Sequence, residues 1–336
     1  MSDFTDLVDL AAEQLGGAVI AANDEFFAPK EAMLKPTPAE WREGEYTERG
    51  KWMDGWETRR RREPGHDWAI VRLGVPGIVR GVLIDTAFYR GNYPEHASID
   101  ACAVPGTPSV EELSAAPWHE LLPQVPLAGD TRNLFAVASD ARVTHLKLNI
   151  YPDGGVARLR IYGDVRPEPR ALEGDAVDLA AMENGGYVVL CSDMFFGHRQ
   201  NLILPGRSTH MGNGWETKRR RGPGHDWTIV RLATRGIVHR VEIDTDHYKG
   251  NAPGACSVDT CDSDSDAFDA ASEVWLETIP RTSLHPHTRH AFDVGARAPA
   301  THVRLNIYPD GGIARLRLIG RAVDASVPRA RLREAT

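Results

Sequence analysis

The sequence repeats itself once, and this repeat constrains the fold more than any other feature. Residues 55–73 and residues 214–232 are identical at 16 of 19 aligned positions. A second pair, 145–163 and 302–320, is identical at 14 of 19 positions. The repeated unit is about 150 residues long, whereas solenoid repeats run to roughly 20–50 residues. The sequence therefore predicts two homologous domains rather than a solenoid.

The stretch between the two copies contains proline, arginine and glutamate and is typical of a linker. We assign residues 1–166 to the first repeat, 167–174 to the linker and 175–324 to the second repeat. Residues 325–336 have no counterpart in the first copy, and we expect them to form a peripheral C-terminal tail.

Within each copy the local pattern is mostly that of strands. Leu146, Leu148 and Ile150 alternate with polar residues, and the same alternation resumes after the Pro-Asp-Gly-Gly turn at 152–155. This pattern predicts a β-hairpin with one buried face. Helical patterns are confined to short stretches such as 5–15 and 110–115. Short strands separated by glycine and proline loops predict an all-β fold, an antiparallel sandwich in each copy.

Charge and composition exclude several classes of protein. The formal net charge is −8, with 39 basic and 47 acidic residues, which does not favour nucleic acid or an anionic membrane as the main partner. No run of 18 apolar residues is present, and the acidic N-terminus lacks the pattern of a secretion signal. The four cysteines form no Cys-x-x-Cys pair. We expect a reduced, cytoplasmic protein.

The loop after the Gly-Trp-Glu-Thr motif concentrates chemistry-bearing side chains in both copies. Guanidinium groups can bind a carboxylate through paired N–H donors, and an adjacent His-Asp pair can transfer protons. The candidate substrate-binding arginines are Arg60, Arg61, Arg219 and Arg220, and the candidate proton-transfer residues are His66, Asp67, His225 and Asp226. The alternative is that these arginines bridge acidic residues between domains while the His-Asp side chains cap loops.

A second cluster follows the apolar strand at 78–85. Asp85 and Asp244 end this strand in the two copies, and Asn92 and Asn251 follow in Gly-Asn dipeptides. An acid at a sheet rim can act as a catalytic base, and an asparagine can both donate to and accept from an amide-like substrate. The alternative is that these residues only form turns.

Signals for metals and cofactors are weak. His285, His287 and His290 lie close together but have no histidine counterparts in the first copy, which favours a surface loop. The zinc-protease, P-loop and nucleophile-elbow motifs are absent from the sequence. We expect a site without a cofactor, while a divalent-metal requirement stays open.

Taken together, these doubled blocks closely resemble the allantoicase (allantoate amidinohydrolase) family over about residues 15–322. The resemblance implies that each repeat is a jelly-roll sandwich similar to discoidin and galactose-binding domains. It further implies hydrolysis of allantoate to (S)-ureidoglycolate and urea, in purine breakdown for nitrogen use, by a homo-oligomer. A non-catalytic discoidin-like module that binds a small molecule or carbohydrate is the alternative.

The implied chemistry matches the candidate residues. Loss of a ureido group as urea requires a proton for the leaving nitrogen. Under this hypothesis the arginines bind the substrate carboxylate and Asn92 or Asn251 binds a ureido group. His66 or His225 is then the general acid, and Asp85 or Asp244 is the general base for water.

Overall fold

The computed structural model describes residues 4–263, 268–295 and 298–323. It divides into two compact units between Arg166 and Pro167. The first unit contains repeat 1 and the second contains repeat 2. The assigned tail at 325–336 lies outside the described residues, and part of the assigned linker forms a 3₁₀ turn at Pro169–Leu172.

Repeat 1 is built almost entirely from strands. One short α-helix, Val110–Ser114, begins with a capping box between Ser109 and Glu112. The region 5–15, which the sequence predicted to be helical, instead forms 3₁₀ turns on either side of a short strand. The strands are β1 (Val8–Asp9), β2 (Ala18–Ala22), β3 (Tyr46–Thr47), β4 (Gly50–Lys51), β5 (Trp56–Glu57), β6 (Asp67–Asp85), β7 (His96–Cys102), β8 (His119–Pro126), β9 (Arg132–Ala136), β10 (Arg142–Tyr151), β11 (Gly155–Val156) and β12 (Arg158–Val165).

Repeat 2 has the same strand order, except that the counterparts of β3 and β4 are missing from its described residues, as is the counterpart of the helix Val110–Ser114. Its strands are β13 (Val177–Asp178), β14 (Tyr187–Cys191), β15 (Trp215–Glu216), β16 (Asp226–Asp244), β17 (Ala255–Cys261), β18 (Leu276–Ser283), β19 (Arg289–Asp293), β20 (Ala300–Tyr308), β21 (Gly312–Ile313) and β22 (Arg315–Ala322). The predicted all-β fold, with two tandem sandwiches, is confirmed.

A single 19-residue strand organises each sandwich. The first half of β6 pairs with β2 and β10, and its second half pairs with β9 and β12, all antiparallel. The strand passes between the two layers of the sandwich near Gly77, which pairs with both Val143 of β10 and Val165 of β12. A Cβ at Gly77 would lie 2.5 Å from the carbonyl oxygen of Asp164, so no side chain fits there. Strand β16 passes between the layers in the same way in repeat 2. The sequence analysis predicted a separate strand at 78–85, which the structure shows to be the second half of β6.

The predicted hairpin around the Pro-Asp-Gly-Gly turn is wrong, although its burial pattern is right. Leu148 and Leu159 are fully buried as predicted. However, β10 and β12 do not pair with each other, because β6 lies between them and each pairs with a different half of it. Residues 152–157 therefore cross from one sheet to the other.

This crossing defines one end of the sandwich. The backbone N–H of Asp67 donates to the carbonyl of Pro152 at 3.2 Å, and that of Ala157 donates to the carbonyl of Asp85 at 2.8 Å. Both ends of β6 therefore lie beside the same six-residue segment. We call this the loop end of the sandwich, and repeat 2 has an equivalent loop end around residues 309–314.

The core lies between the two sheets of each repeat. Trp56 and Trp215 are its largest fully buried side chains. Their indole N–H groups donate to the carbonyls of Asp24 and Asp193 at 2.8 Å, so burial leaves no indole donor unsatisfied. All four cysteines are unpaired. Among the described residues, no helix combines the length and apolar character that a membrane span requires.

Candidate active site

Four loops of repeat 1 meet at the loop end, and hydrogen bonds join them. Asn23 Nδ2 donates to the carboxylate of Asp67 at 2.8 Å. The backbone N–H of Thr58 donates to the carbonyl of Gly154 at 3.2 Å, and that of Gly155 to the carbonyl of Asn92 at 2.8 Å. The candidate residues are therefore gathered at one end of the sandwich, where loops can be varied without disturbing the sheets.

The aspartate of each Gly-His-Asp-Trp motif is buried and holds an arginine of its own loop. Asp67 lies 3.5 Å from Arg61 Nη1, and Asp226 forms an ion pair with Arg220. The backbone N–H of Arg61 also donates to Asp153 Oδ2 at 2.8 Å. Arg61 and Arg220 are thus bound by protein groups. These pairs lie within one repeat, so they are neither a free carboxylate-binding arrangement nor the bridges between domains that the alternative predicted.

The preceding arginine of each copy has the opposite environment. Arg60 and Arg219 are exposed, and neither guanidinium makes a hydrogen bond or ion pair to another described residue. An exposed guanidinium without a protein partner can bind a substrate carboxylate through two parallel N–H donors. Arg60 and Arg219 are therefore better placed for that role than Arg61 and Arg220.

His66 faces a polar network rather than Asp67. Its ring lies 4.7 Å from the ring of Tyr151, between centroids. The Tyr151 hydroxyl is 3.0 Å from Ser98 Oγ, and Asn149 Nδ2 donates to Ser98 Oγ at 3.1 Å and to Asp100 Oδ2 at 2.9 Å. We call these five side chains the Asn149 network. It lies along β7 and β10, next to the loop end.

Repeat 2 reproduces the network nearly atom for atom. The ring of His225 lies 4.7 Å from that of Tyr308, whose hydroxyl is 3.0 Å from Ser257 Oγ. Asn306 Nδ2 donates to Ser257 Oγ at 3.0 Å and to Asp259 Oδ2 at 2.9 Å. In this Asn306 network, His225 Nε2 also lies 3.3 Å from the Asn306 side-chain oxygen.

The sequence analysis missed the strand β7 members of these networks. Ser98 and Asp100 stand about fifty positions before Asn149, so no local motif connects them. The sequence feature that could have identified them is the Ser-x-Asp spacing, which recurs as Ser257 and Asp259 on a mostly apolar strand. Residues at i and i+2 of a strand share one face, which is why both can reach the same asparagine.

The second cluster contains a glutamate that the sequence analysis also missed. Asn92 Nδ2 donates to Glu57 Oε1 at 2.7 Å, and Asn251 Nδ2 donates to Glu216 Oε1 at 2.5 Å. Burial raises the pKa of the Glu57 carboxyl, and the bond from Asn92 only partly opposes this rise. The signal was the glutamate of the Gly-Trp-Glu-Thr motif, which is present in both copies.

Tyr89 lies behind Glu57 and is fully buried. Its hydroxyl has no hydrogen-bond partner among the described residues, whereas the Tyr248 hydroxyl of repeat 2 donates to the carbonyl of Met211 at 2.8 Å. Burial raises the pKa of Tyr89 well above its usual value, with the nearby carboxylates of Glu57 and Asp54 adding to the rise. The tyrosine therefore stays a neutral donor.

Asp85 and Asp244 end β6 and β16, in the halves of these strands that pair with β12 and β22. Asp85 Oδ1 accepts the backbone N–H of Ala87 at 2.9 Å, and Asp85 stands opposite Arg158 on β12. Asp244 Oδ1 accepts the N–H of Asp246 at 2.8 Å, and Asp244 stands opposite Arg315 on β22. The structure therefore joins Asn92 to Glu57 and Asp67 to Arg61, and it places Asp85 with Arg158 rather than with His66.

The three neighbouring histidines of repeat 2 bond to their own surroundings. His290 Nε2 accepts the N–H of His285 at 2.9 Å, and His287 Nδ1 lies 2.7 Å from Asp246 Oδ1. Across residues 4–263, 268–295 and 298–323, no group of three or more His, Cys, Asp or Glu side chains is arranged to hold a metal ion.

Comparisons with known proteins agree over most of the chain. The family model described as allantoicase repeat matches residues 8–166 and 177–323. The chain is 49% identical over 320 residues to a probable allantoicase of Nocardia farcinica, covering 94% of this chain and 95% of that protein. It is 45% identical over 321 residues to the allantoicase of Dictyostelium discoideum, covering 94% and 87%.

A solved structure gives the same result for the fold. The crystal structure of allantoicase from Saccharomyces cerevisiae superposes with a TM-score of 0.81 at 35% identity, covering 95% of this chain and 96% of that one. Family model, relatives and structure each include both repeats, as the resemblance in the sequence implied. This chain therefore belongs to the allantoicase family.

Proposed function

We propose that the chain is a hydrolase that converts allantoate and water to (S)-ureidoglycolate and urea. The observation that carries this proposal is similarity over the full length to allantoicases from bacteria and from Dictyostelium. This favours the enzyme over a non-catalytic module that binds carbohydrate or another small molecule. The reaction belongs to purine breakdown, where it releases nitrogen as urea.

The reaction sets three demands on the site. Allantoate has one carbon that bears a carboxylate, a hydrogen and two ureido groups. One carbon–nitrogen bond breaks, the oxygen of water joins that carbon, and the departing nitrogen takes a proton. The site must therefore hold a carboxylate, protonate the leaving nitrogen and remove a proton from water.

We place these roles at the loop end. The exposed guanidiniums of Arg60 and Arg219 bind the substrate carboxylate, because Arg61 and Arg220 already hold Asp67 and Asp226. Asn92 or Asn251 binds a ureido group through its amide. His66 or His225 protonates the leaving nitrogen, since imidazole titrates near neutral pH.

Glu57 and Glu216 are candidates for the general base. Each lies within hydrogen-bond distance of the asparagine that would hold the ureido group. A carboxyl with a raised pKa is a stronger base once it is ionised, which suits removal of a proton from water. Asp85 and Asp244 stay as alternative bases, although they stand opposite Arg158 on β12 and Arg315 on β22.

The remaining parts of the proposal concern the setting. We propose a cytoplasmic enzyme that works as a homo-oligomer without a cofactor, and without nucleic acid or membrane as a partner. The acidic net charge of −8 supports the last point.

Urea release from allantoate by the purified chain is the test. We expect one urea per allantoate, and the activity should persist after treatment with a chelator. Binding of allantoate or a sugar without release of urea would contradict the proposal. Loss of activity on chelation, with recovery on adding a divalent metal, would contradict the cofactor-free part alone.

A further inference from the structure

The arginine that follows the Pro-Asp-Gly-Gly turn is buried in both repeats but has different partners. Arg158 is 2% exposed and Arg315 is 4% exposed. Each starts the strand after the crossing segment and stands opposite the predicted catalytic aspartate, Asp85 or Asp244. A buried guanidinium needs a compensating negative charge or a full set of acceptors.

In repeat 1, residues of the same repeat supply both the compensating charge and the acceptors. Arg158 Nη2 lies 2.5 Å from Asp54 Oδ2, and Lys35 binds the same carboxylate at 2.6 Å. Arg158 Nε and Nη2 also donate to the carbonyls of Thr37 and Pro38, at 2.8 and 3.1 Å. The guanidinium of Arg158 is therefore neutralised within repeat 1.

Repeat 2 lacks this arrangement. Asn213 replaces Asp54 in the alignment, and the covering loop is shorter: 17 residues separate Phe196 from Gly214, against 27 between Phe27 and Gly55. Arg315 Nη1 donates only to the carbonyls of Asn213 and Ala314, at 2.7 and 2.6 Å. Arg315 Nε has no partner among the described residues.

A cavity of about 30 Å³ adjoins Arg315, and a water molecule needs about 10–15 Å³. Its lining is strongly charged and includes Arg207, Glu242, Asp244, Arg289, Arg315 and Arg317. Arg207 pairs with Asp246 at 3.1 Å, Arg289 with Glu242 at 3.2 Å, and Arg317 with Asp178 at 3.5 Å. Arg315 is the one guanidinium of this lining without a carboxylate within 4 Å among the described residues.

From this geometry we propose that repeat 2 holds a binding site for a small carboxylate at Arg315, which repeat 1 lacks because Asp54 occupies the equivalent position. The planar guanidinium presents paired donors that fit a carboxylate. Glu242 and Asp244 on the cavity wall oppose a second negative charge, so a monoanion fits better than a phosphate dianion. Burial, together with the nearby Arg317, lowers the pKa of Arg315 to about 10, and the carboxylate of Asp244 only partly opposes this, so Arg315 stays charged at neutral pH.

The site is separate from the catalytic roles placed on Arg60, Arg219, Glu57 and Glu216. Acetate binding at Arg315 therefore does not depend on the proposed function, whereas the choice of the natural ligand does, and the alternative base Asp244 lies on the wall of this site. Two sources could supply the carboxylate: the substrate or product of the reaction, or another small monocarboxylic acid. Acetate is a suitable probe because it presents only the group that is proposed to bind.

The test is calorimetric titration of the full chain with sodium acetate at constant ionic strength. We expect one saturable acetate site per chain. N213D supplies the missing internal carboxylate and should weaken acetate affinity at least tenfold, as should R315Q. N213A is the matched control, because it removes the amide without adding charge, and it should keep the site. D54N should create a second site in repeat 1.

Equal acetate affinity in wild type and N213D, or no saturable binding in wild type, would overturn the proposal. If D54N does not fold, the comparison of N213D with N213A decides alone. The KM for allantoate then identifies the source. An unchanged KM in N213D assigns the site to a separate monocarboxylate, whereas a tenfold higher KM with unchanged kcat assigns it to the substrate's own carboxylate.

Discussion

At their loop ends the two repeats share one polar network and differ in the partner of one arginine. The Asn149 and Asn306 networks agree within 0.1 Å in each of their serine and aspartate contacts. The Asp54 carboxylate that neutralises Arg158 is, by contrast, an asparagine beside Arg315. The two repeats have therefore kept the same polar network, while the charges around the buried arginine have diverged between them.

The largest expected effect is on stability, at the divergent position. D54A leaves Arg158 buried without a carboxylate, and we expect it to lower the free energy of unfolding of repeat 1 by about 3–5 kcal/mol. N213A removes polar contacts to Ser208 and Thr209 but no charge pair, and should cost about 1 kcal/mol. Urea denaturation of both variants measures the comparison. If both variants lose the same free energy of unfolding, the Asp54–Arg158 ion pair does not stabilise repeat 1 more than the Asn213 contacts stabilise repeat 2.

The next effect concerns catalysis. E57Q keeps the size and the acceptor for Asn92 but cannot take a proton from water, so kcat should fall about 10²–10³-fold. E216Q is the matched change in repeat 2, and comparing the two shows which copy reacts. If both variants keep full kcat, neither glutamate is the base, and D85N and D244N become the variants to measure.

The pH dependence of activity is a second test of the role of Glu57. A general base must be ionised, so activity should fall as pH decreases through the pKa of Glu57, which burial raises above the usual 4.5. The acidic limb of kcat/KM should therefore lie at a higher pH than an exposed glutamate would give. A limb that stays at the same pH in E57D and E57Q belongs to another group.

The histidines should give a smaller effect. H66A or H225A removes the proposed acid, and we expect about a 10²-fold loss of kcat in the copy that reacts. A histidine variant with full kcat leaves that histidine with a structural role, through its ring contact with Tyr151 or Tyr308 and, for His225, its contact with Asn306.

The exposed arginines Arg60 and Arg219 give an independent check. R60K or R219K should raise the KM for allantoate without changing kcat.

The smallest effect tests the part that both repeats share. Y151F and Y308F each delete the hydroxyl that contacts Ser98 or Ser257 at 3.0 Å. We expect each to cost about 1 kcal/mol of unfolding free energy, a normal value for one hydrogen bond. Similar losses of unfolding free energy in Y151F and Y308F would support equivalent networks. A loss in only one variant would show that the two networks differ in energy although their distances agree.

The sequence predicted the doubled all-β architecture and most of the loop-end residues because those features are local. Alternation of apolar residues identified the buried face of β10 and β12 without knowledge of pairing partners. The partners themselves were mispredicted, because a turn motif such as Pro-Asp-Gly-Gly fixes local backbone conformation but not which strand lies alongside. Partners far apart in the chain, such as Asn149 with Asp100, were missed for the same reason.

Charge environments were the least predictable part. Arg60 and Arg61 are adjacent and chemically identical, yet one is exposed and the other holds Asp67. Likewise, Asp54 and Asn213 differ by one side-chain group at an aligned position, and only the structure shows a buried arginine beside them. Burial and pairing of charges are set by tertiary contacts, so the residue type alone does not determine them.

The long strand that belongs to both sheets has a mechanical consequence. β6 and β16 each form backbone hydrogen bonds in both layers of their sandwich. One layer therefore cannot separate from the other without breaking the long strand's hydrogen bonds. Each repeat should therefore unfold in one cooperative transition. Until it unfolds, the two ends of each long strand, Asp67 and Asp85 or Asp226 and Asp244, should stay at a fixed distance from each other.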